Sequence, residues 1–137
     1  MKHLALLCIL GLFNSASFAT HIVGGEINYT QLNKDSFKIE LQLYIDCVNG
    51  NPGAISQDRF AQIAVFSKKT GLLLPNLSFD VERSTPVRVS KTHYNCIKIG
   101  PNACVDAYSY VFYRELPPIE GGYILSFQRC CRNNSIL

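Results

Sequence analysis

The chain has 137 residues, enough for one domain of ordinary size with little left for a second. Hydrophobic residues make up 47% of the sequence and charged residues 17%, a balance that excludes wholesale disorder. The formal net charge of +3, from 13 basic and 10 acidic side chains, is too small to indicate a nucleic-acid partner, and none is expected.

The N-terminal residues have the pattern of a secretory signal peptide. A basic start, Met1-Lys2-His3, precedes the apolar run Leu4–Phe13, which is too short to cross a bilayer as a helix. Ser17 and Ala19 then supply the small residues that a cleavage site requires. We therefore predict a signal peptide at residues 1–19 and a secreted or cell-surface product starting at residue 20. No later run is long and apolar enough for a transmembrane segment, and none is expected.

The first predicted strands form a hairpin. From Phe37 to Cys47 an apolar side chain falls on every second residue, which is the period of a strand with one buried face. Gly25–Leu32 precedes this strand, and Asn33–Asp35 between them is a turn-forming stretch. The two segments are therefore predicted to pair in an antiparallel arrangement.

The rest of the chain shows short strands separated by turns. Residues 48–57 are rich in Gly, Asn and Pro and cannot form a central strand. Phe60–Ser67 is predicted to be a strand that ends in a turn at Lys68–Gly71. The later predicted segments are a brief return at Leu72–Leu74, edge pieces at Leu77–Glu82 and Val87–Val89, an irregular loop at 90–103, a strand from Val105 to Tyr113, a turn at Pro117–Gly122 and a last strand at Tyr123–Cys131.

These elements predict an all-β fold. Nowhere do apolar residues recur with helical spacing over ten or more positions. Short strands with Gly/Pro turns are typical of an antiparallel β-sandwich, immunoglobulin-like in outline. The chain has no Trp, so the buried Trp that marks antibody domains is missing, and only the architecture is predicted. Residues 20–137 are expected to form this single β-sandwich domain.

Export makes disulfides the expected fate of the cysteines. Cys8 leaves with the signal peptide, and zinc is a weaker alternative because the remaining spacings lack close doublets with His partners. Neither a metal nor a cofactor is expected. The cysteines of the mature chain are Cys47, Cys96, Cys104, Cys130 and Cys131.

Strand parity suggests how these cysteines pair. Cys47 and Cys131 each lie on the apolar face of their predicted strands, which favours a Cys47–Cys131 bridge and leaves Cys130 as a free thiol. One β-bulge would exchange Cys130 and Cys131. Cys96 and Cys104 flank a short loop and are predicted to pair locally. The fold is therefore expected to be stabilised by two disulfides.

Several of these segments together resemble a known family. The start Thr20-His21-Ile22-Val23-Gly24-Gly25-Glu26, the strand end Tyr44–Cys47 and the segment Gln128-Arg129-Cys130-Cys131-Arg132-Asn133 are similar to the N-terminal domain of large secreted Bacteroidetes surface proteins. That resemblance implies an adhesin-like or gliding-motility-associated module, exported by the type IX secretion system as part of a longer polypeptide. Gln31 stands where family members commonly carry a Cys, which offers a source for one unpaired thiol.

Catalytic patterns are weak in this sequence. Ile22-Val23-Gly24-Gly25 matches the activated N-terminus of trypsin-like proteases, but no GDSGG segment follows and the mature chain is too short for that fold. His93 and Cys96 form a Cys/His pair that a surface histidine beside a structural cystine also explains. Asp46 and Asp58 flank a loop that could hold calcium, although a plain turn is favoured. We therefore expect no catalytic site.

Three functions remain open at this point. The first is a non-catalytic structural or adhesion module whose partners are other domains of the same polypeptide, cell-surface proteins or glycans. The second is a small carbohydrate-binding module. The third is a hydrolase of unrecognised type, which predicts two carboxylates close together in a concave site. The second rests on a ligand platform of aromatic side chains along one strand, formed by Tyr108, Tyr110 and Phe112.

Overall fold

A computed structural model describes residues 21–89 and 103–129 of the chain. These residues form seven strands and one short helix. In chain order the elements are β1 (Ile22–Gln31), β2 (Ser36–Asp46), α1 (Pro52–Gln57), β3 (Phe60–Ser67), β4 (Phe79–Glu82), β5 (Val87–Arg88), β6 (Val105–Glu115) and β7 (Tyr123–Phe127).

The strands make two antiparallel sheets. Sheet one has the order β1-β2-β6-β5 and sheet two the order β4-β3-β7. This confirms the prediction of a disulfide-containing protein built from antiparallel β-sheets. No helix in the described ranges has the length and apolar character that crossing a membrane demands.

The predicted β1–β2 hairpin is confirmed, with β1 starting at Ile22 rather than Gly25. The turn forms because the Asn33 side chain accepts hydrogen bonds from the backbone N–H groups of Asp35 (3.2 Å) and Ser36 (3.0 Å). The register then sets Ile27 of β1 opposite Leu41 of β2. The apolar face of β2 is thereby turned toward the core along its whole length.

Strand β3 has the bounds predicted from the sequence and occupies the centre of sheet two. The turn after it is confirmed, and Gly71 there has a φ of 69°, which a residue without Cβ adopts easily. The predicted return at Leu72–Leu74 contributes only an isolated bridge between Leu73 and Phe66. The predicted edge piece at Leu77–Glu82 shortens to β4.

The buried side chains of both sheets belong to one hydrophobic cluster. The rings of Phe79 and Phe112 meet edge to face across the two sheets, with centroids 4.3 Å apart. The core residues with the largest fully buried side chains are Tyr110, Ile39, Ile45, Ile63 and Val65. Because the alternating apolar faces of β2, β3 and β6 all turn inward, the two sheets cover each other.

The helix α1 was not expected from the sequence. Its six residues are too few to show a helical period, but its start carries a cap: the Asn51 side chain accepts hydrogen bonds from the N–H groups of Gly53 (2.8 Å) and Ala54 (3.2 Å). Pro52 suits the first turn because its φ is already helical. The helix leads the chain from sheet one to sheet two and ends at Gln57, with Asp58 as its C-cap.

Several predictions fall partly or wholly outside the described residues, and the signal peptide predicted at residues 1–19 is one of them. The irregular loop predicted at 90–103 lies there almost completely, and so do Cys130 and Cys131 at the end of the predicted last strand. Within the described range that strand is β7 and ends at Phe127.

Candidate functional site

A disulfide joins Cys47 to Cys104. Cys47 directly follows β2 and Cys104 directly precedes β6, and the register pairs Asp46 with Val105. The two cysteines are therefore opposite each other, with Cα atoms 5.4 Å apart and the Cys47 N–H bonded to the Cys104 carbonyl at 3.2 Å. The bridge locks the two central strands of sheet one together.

This bridge corrects the predicted pairings. Both Cys47–Cys131 and Cys96–Cys104 are wrong, because Cys47 and Cys104 are bonded to each other. Parity gave the face of each cysteine but could not show that β2 neighbours β6, while β7 belongs to the other sheet. Cys96, Cys130 and Cys131 lie outside the described residues.

The predicted ligand platform is also wrong. Tyr108, Tyr110 and Phe112 do share one face of β6, but their exposed fractions are only 7%, 0% and 9%. The register sets this face opposite the inward residues of β2, so the three rings fill the core instead of meeting solvent. They cannot stack on a sugar while the sheets remain packed.

A buried polar cluster lies where β1, α1 and the end of β7 meet. We call it the Asp58 cluster, and its members are His21, Asp58, Tyr110 and Arg129. His21 Nε2 donates to Asp58 Oδ2 at 2.5 Å, and Arg129 Nε contacts Asp58 Oδ1 at 2.9 Å. The Tyr110 hydroxyl donates to the Asp58 carbonyl at 2.5 Å. His21 and Asp58 are each only 4% exposed.

Local backbone contacts hold this cluster in place. The His21 carbonyl accepts the Asp46 N–H at 2.7 Å, so the entry to β1 is tied to the end of β2. Gly50 lies between them, since a Cβ there would come within 2.2 Å of the Asp46 carbonyl and 3.2 Å of the His21 Cβ. A glycine is required at this close approach.

Side chains surround the Asp58 carboxylate on both oxygens. A His–Asp pair is two thirds of a catalytic triad, which needs a nucleophile on the other ring nitrogen. Here His21 Nδ1 is buried and has no hydrogen-bond partner among the described residues. The Asp58 carboxylate contacts the buried His21 ring through Oδ2 and the partly exposed Arg129 guanidinium through Oδ1.

The two loop carboxylates considered for calcium are engaged separately. Asp46 Oδ1 accepts hydrogen bonds from the backbone N–H groups of Val48 and Asn49, each at 2.9 Å. These hydrogen bonds, those from Asn49 most of all, hold the pKa of Asp46 below its usual range. Asp58 is committed to His21 and Arg129. Across residues 21–89 and 103–129, no three His, Cys, Asp or Glu side chains are grouped closely enough to hold a metal ion.

Tyr110 makes the Asp58 cluster sensitive to alkali. Burial, with a smaller effect of the Asp58 charge, raises the pKa of Tyr110 to about 12 from 10.0. Between these two pH values the unfolded chain loses the phenol proton while the folded chain keeps it, so stability falls as the pH rises through this window. A shift of this size corresponds to a loss of about 2 to 3 kcal/mol.

We expect Tyr110→Phe to flatten this alkaline decline. The variant also loses the hydrogen bond to the Asp58 carbonyl, which lowers stability at neutral pH by about 1 kcal/mol. Urea unfolding followed by circular dichroism across the window measures both effects. Tyr113→Phe is the matched control, because Tyr113 lies on the outward face of the same strand and is exposed. An equal decline in Tyr110→Phe and the wild type would contradict the assignment.

An apolar groove runs between β1 and β7, beside the outer backbone edge of β7. We call it the edge groove. Its volume is about 400 Å³, and no charged side chain lines it. Tyr29, on its rim, is 71% exposed although it lies on the inward face of β1. The lining residues are Ile27, Tyr29, Phe37, Ile39, Leu116, Tyr123 and Leu125.

The edge groove exists because the two sheets differ in their number of strands. Sheet one has four strands and ends in β1, whereas sheet two has three strands and ends in β7. Tyr123 forms the floor between them, held by a hydrogen bond from its hydroxyl to the Pro117 carbonyl at 2.5 Å. The inward face of β1 is left partly open as a result. A second concavity of about 720 Å³, lined by the segment that follows β3, adjoins the groove through Tyr123.

Neither the Asp58 cluster nor the edge groove could be identified from the sequence. His21 and Asp58 are 37 positions apart, and no spacing rule joins a residue before the first strand to one after a short helix. The alternation of Gly25, Ile27 and Tyr29 in β1 was a weak signal of an inward face, but not of what lies opposite.

No protein-family model, no curated protein and no solved structure matches this chain.

Proposed function

We propose that this chain is a secreted, non-catalytic structural or adhesion module of a cell-surface protein. The observation that carries the proposal is the Cys47–Cys104 disulfide, because such bonds persist in oxidising compartments outside the cytoplasm. The leader-like pattern of residues 1–19 supports the same location. The resemblance to the N-terminal domain of Bacteroidetes surface proteins suggests adhesion or gliding motility, with export by the type IX system.

The architecture proposed for this module is a β-sandwich of immunoglobulin-like outline. The strand orders β1-β2-β6-β5 and β4-β3-β7 support it, since successive pairs of strands alternate between two sheets that share one core. Loops and edges of such frameworks are the usual binding surfaces. The buried cluster around Asp58 stabilises this framework and leaves recognition to the surface.

The carbohydrate-binding alternative is the weaker candidate. It depended on Tyr108, Tyr110 and Phe112, and these rings are buried. The exposed tyrosines do not replace them, because Tyr29 lies on an inward face and Tyr113 on an outward face of the same sheet. The described surface therefore offers no coplanar set of rings at these positions.

Expression of the full chain in a Gram-negative host tests the proposed location. We expect an exported product whose N-terminal residue is Thr20 and whose Cys47 and Cys104 are oxidised. Leu7→Asp, within the apolar run of the leader, is expected to block export, whereas Asn14→Asp outside that run leaves it intact. A wild-type product that stays in the cytoplasm with its leader attached contradicts the proposal.

Bead binding tests the adhesive role. Beads coated with the exported protein are expected to attach to bacterial cell layers more than beads coated with the Cys47→Ala/Cys104→Ala variant, whose framework is weakened. Equal attachment of the two preparations, with the wild type shown to be folded by circular dichroism, contradicts an adhesive role.

A further inference from the structure

We propose that the edge groove binds an extended segment of a second protein, which adds to β7 as a new strand and inserts apolar side chains at alternate positions. This inference rests on the proposed function as an interaction module and names the class of partner. It is carried by two independent features: the hydrogen-bonding edge of β7 and the apolar groove beside it.

The backbone edge of β7 follows from the bonds of β3. Val65 and Ser67 direct their backbone groups away from β7, because Val65 bonds to Leu74 and the Ser67 N–H donates to the Leu72 carbonyl. Backbone groups alternate in direction along a strand, so Ala64 and Phe66 are the β3 residues that face β7.

On β7, the residues that face β3 are consequently those in register with Ala64 and Phe66, namely Ser126 and Ile124. The N–H and C=O groups of Tyr123, Leu125 and Phe127 point to the opposite edge. None of them has a backbone partner among the described residues. Such a row of donors and acceptors is a template for another extended chain.

The side chains beside that edge specify what the added strand carries. Tyr123 and Leu125 of β7 and Ile27 and Tyr29 of β1 line the groove at two-residue spacing, which matches the side-chain period of a strand. The groove holds about 400 Å³, and a cavity of about 150 Å³ already accommodates a benzene ring. The inserted residues are therefore apolar and uncharged, with polar residues between them facing solvent.

A second copy of this chain does not fit the same edge. Sheet one extends past β7 by the width of β1, and β2 already covers β7 through Phe37 and Ile39. If two β7 strands paired symmetrically, the β1 of each copy would have to occupy the place held by the β2 of the other. A single extended segment, without a sheet of its own stacked above it, avoids this overlap.

Phage-displayed random peptides of roughly ten residues, the upper range of natural strand lengths, are the probe. Selection on the full-length exported protein is expected to enrich peptides with apolar residues at alternate positions. Amide hydrogen exchange should then slow at Tyr123, Leu125 and Phe127 when an enriched peptide is added. N-methylation of the alternate peptide amides that face the edge should abolish binding, because it removes the backbone donors.

Two matched tyrosine variants separate the groove from the general surface. Tyr29→Asp places a charge in the groove and is expected to weaken peptide binding by about tenfold or more, equivalent to about 1.4 kcal/mol. Tyr113→Asp changes a tyrosine of similar exposure, 67% against 71%, outside the groove and is expected to leave binding unchanged. Both side chains are exposed, so both variants are expected to fold.

Three outcomes of the peptide experiments would overturn the inference. They are an absence of enrichment, enriched peptides without an alternating pattern, or equal weakening by the two tyrosine variants. Occupation of the edge by residues that follow Arg129 in the same chain would also overturn it, and would show as slow exchange at the three β7 amides before any peptide is added. Correct export together with failed peptide binding removes this inference and leaves the proposed function standing.

Discussion

Replacing Cys47 and Cys104 together by alanine is expected to lower the free energy of unfolding by about 4 kcal/mol. The two residues are 57 positions apart, and a cross-link across a loop of that length restricts the unfolded chain by an entropy equivalent to about 4 kcal/mol. Small domains have total stabilities of about 5–15 kcal/mol, so the variant is expected to be close to its unfolding threshold at physiological temperature.

Urea unfolding followed by circular dichroism measures this loss, since the chain has no Trp to report by fluorescence. The slope of the transition should also increase, because the unfolded variant is less compact without the cross-link. A tryptic map of the unreduced protein is the independent control. Trypsin separates residues 39–59, which contain Cys47, from residues 99–114, which contain Cys104, and from residues 92–98, which contain Cys96. A wild-type map in which 39–59 is not joined to 99–114 contradicts the bridge.

The strands of this protein could be predicted because their signal is local. Alternation from Phe37 to Cys47 and from Val105 to Tyr113 is a property of each segment alone, and both segments are strands; in β2 the apolar face is the buried one, as expected. The exact bounds of β3 follow from the turn residues after Ser67. Element type was therefore accessible from the sequence, and so was the buried face of β2.

Strand neighbours could not be predicted in this way, and the cysteine pairing failed for that reason. Parity assigned Cys47 and Cys131 to inward faces but carries no information on which strands pair. Cys47 directly follows β2 and Cys104 directly precedes β6, where the register brings these two strands together. A disulfide at such a position depends on sheet order, which is a long-range property.

The aromatic strand shows a related limit. The sequence gives Tyr108, Tyr110 and Phe112 one shared face, but not whether that face meets solvent or core. Opposite them in β2 are Leu43, Leu41 and Ile39, so the face is buried. Tyr110 accommodates its hydroxyl there only because the Asp58 carbonyl is within reach, and that contact spans 52 positions.

The second large effect is expected at Asp58. Asp58→Ala removes the acceptor for both His21 and Arg129 and leaves the buried His21 ring without a partner on either nitrogen among residues 21–89 and 103–129. Removing one partner of a buried ion pair typically costs about 3–5 kcal/mol, and the low end applies because the Arg129 side chain is 34% exposed. We therefore expect a loss of about 3 kcal/mol in the free energy of unfolding.

Glu82→Ala provides a matched comparison within the same chain. Glu82 pairs with Arg59 at 2.7 Å, a similar contact between a guanidinium Nε and a carboxylate, but both side chains are exposed. Exposed pairs of this kind contribute about 0–1 kcal/mol, so Glu82→Ala is expected to unfold at nearly the wild-type urea concentration. Asp58→Asn, which keeps the shape and one acceptor oxygen, should lie between the two.

A double-mutant cycle shows how the cluster works. If His21 and Asp58 stabilise the fold through their mutual bond, then His21→Ala combined with Asp58→Ala should cost less than the sum of the two single variants, with a coupling of about 1–3 kcal/mol. The coupling arises because, once Asp58 is gone, the unpaired ring of His21 no longer stabilises the entry to β1. Additive losses in the free energy of unfolding would mean that His21 and Asp58 act separately. A loss in Asp58→Ala no larger than that in Glu82→Ala would mean that burial of this cluster contributes nothing to the joining of β1, α1 and β7.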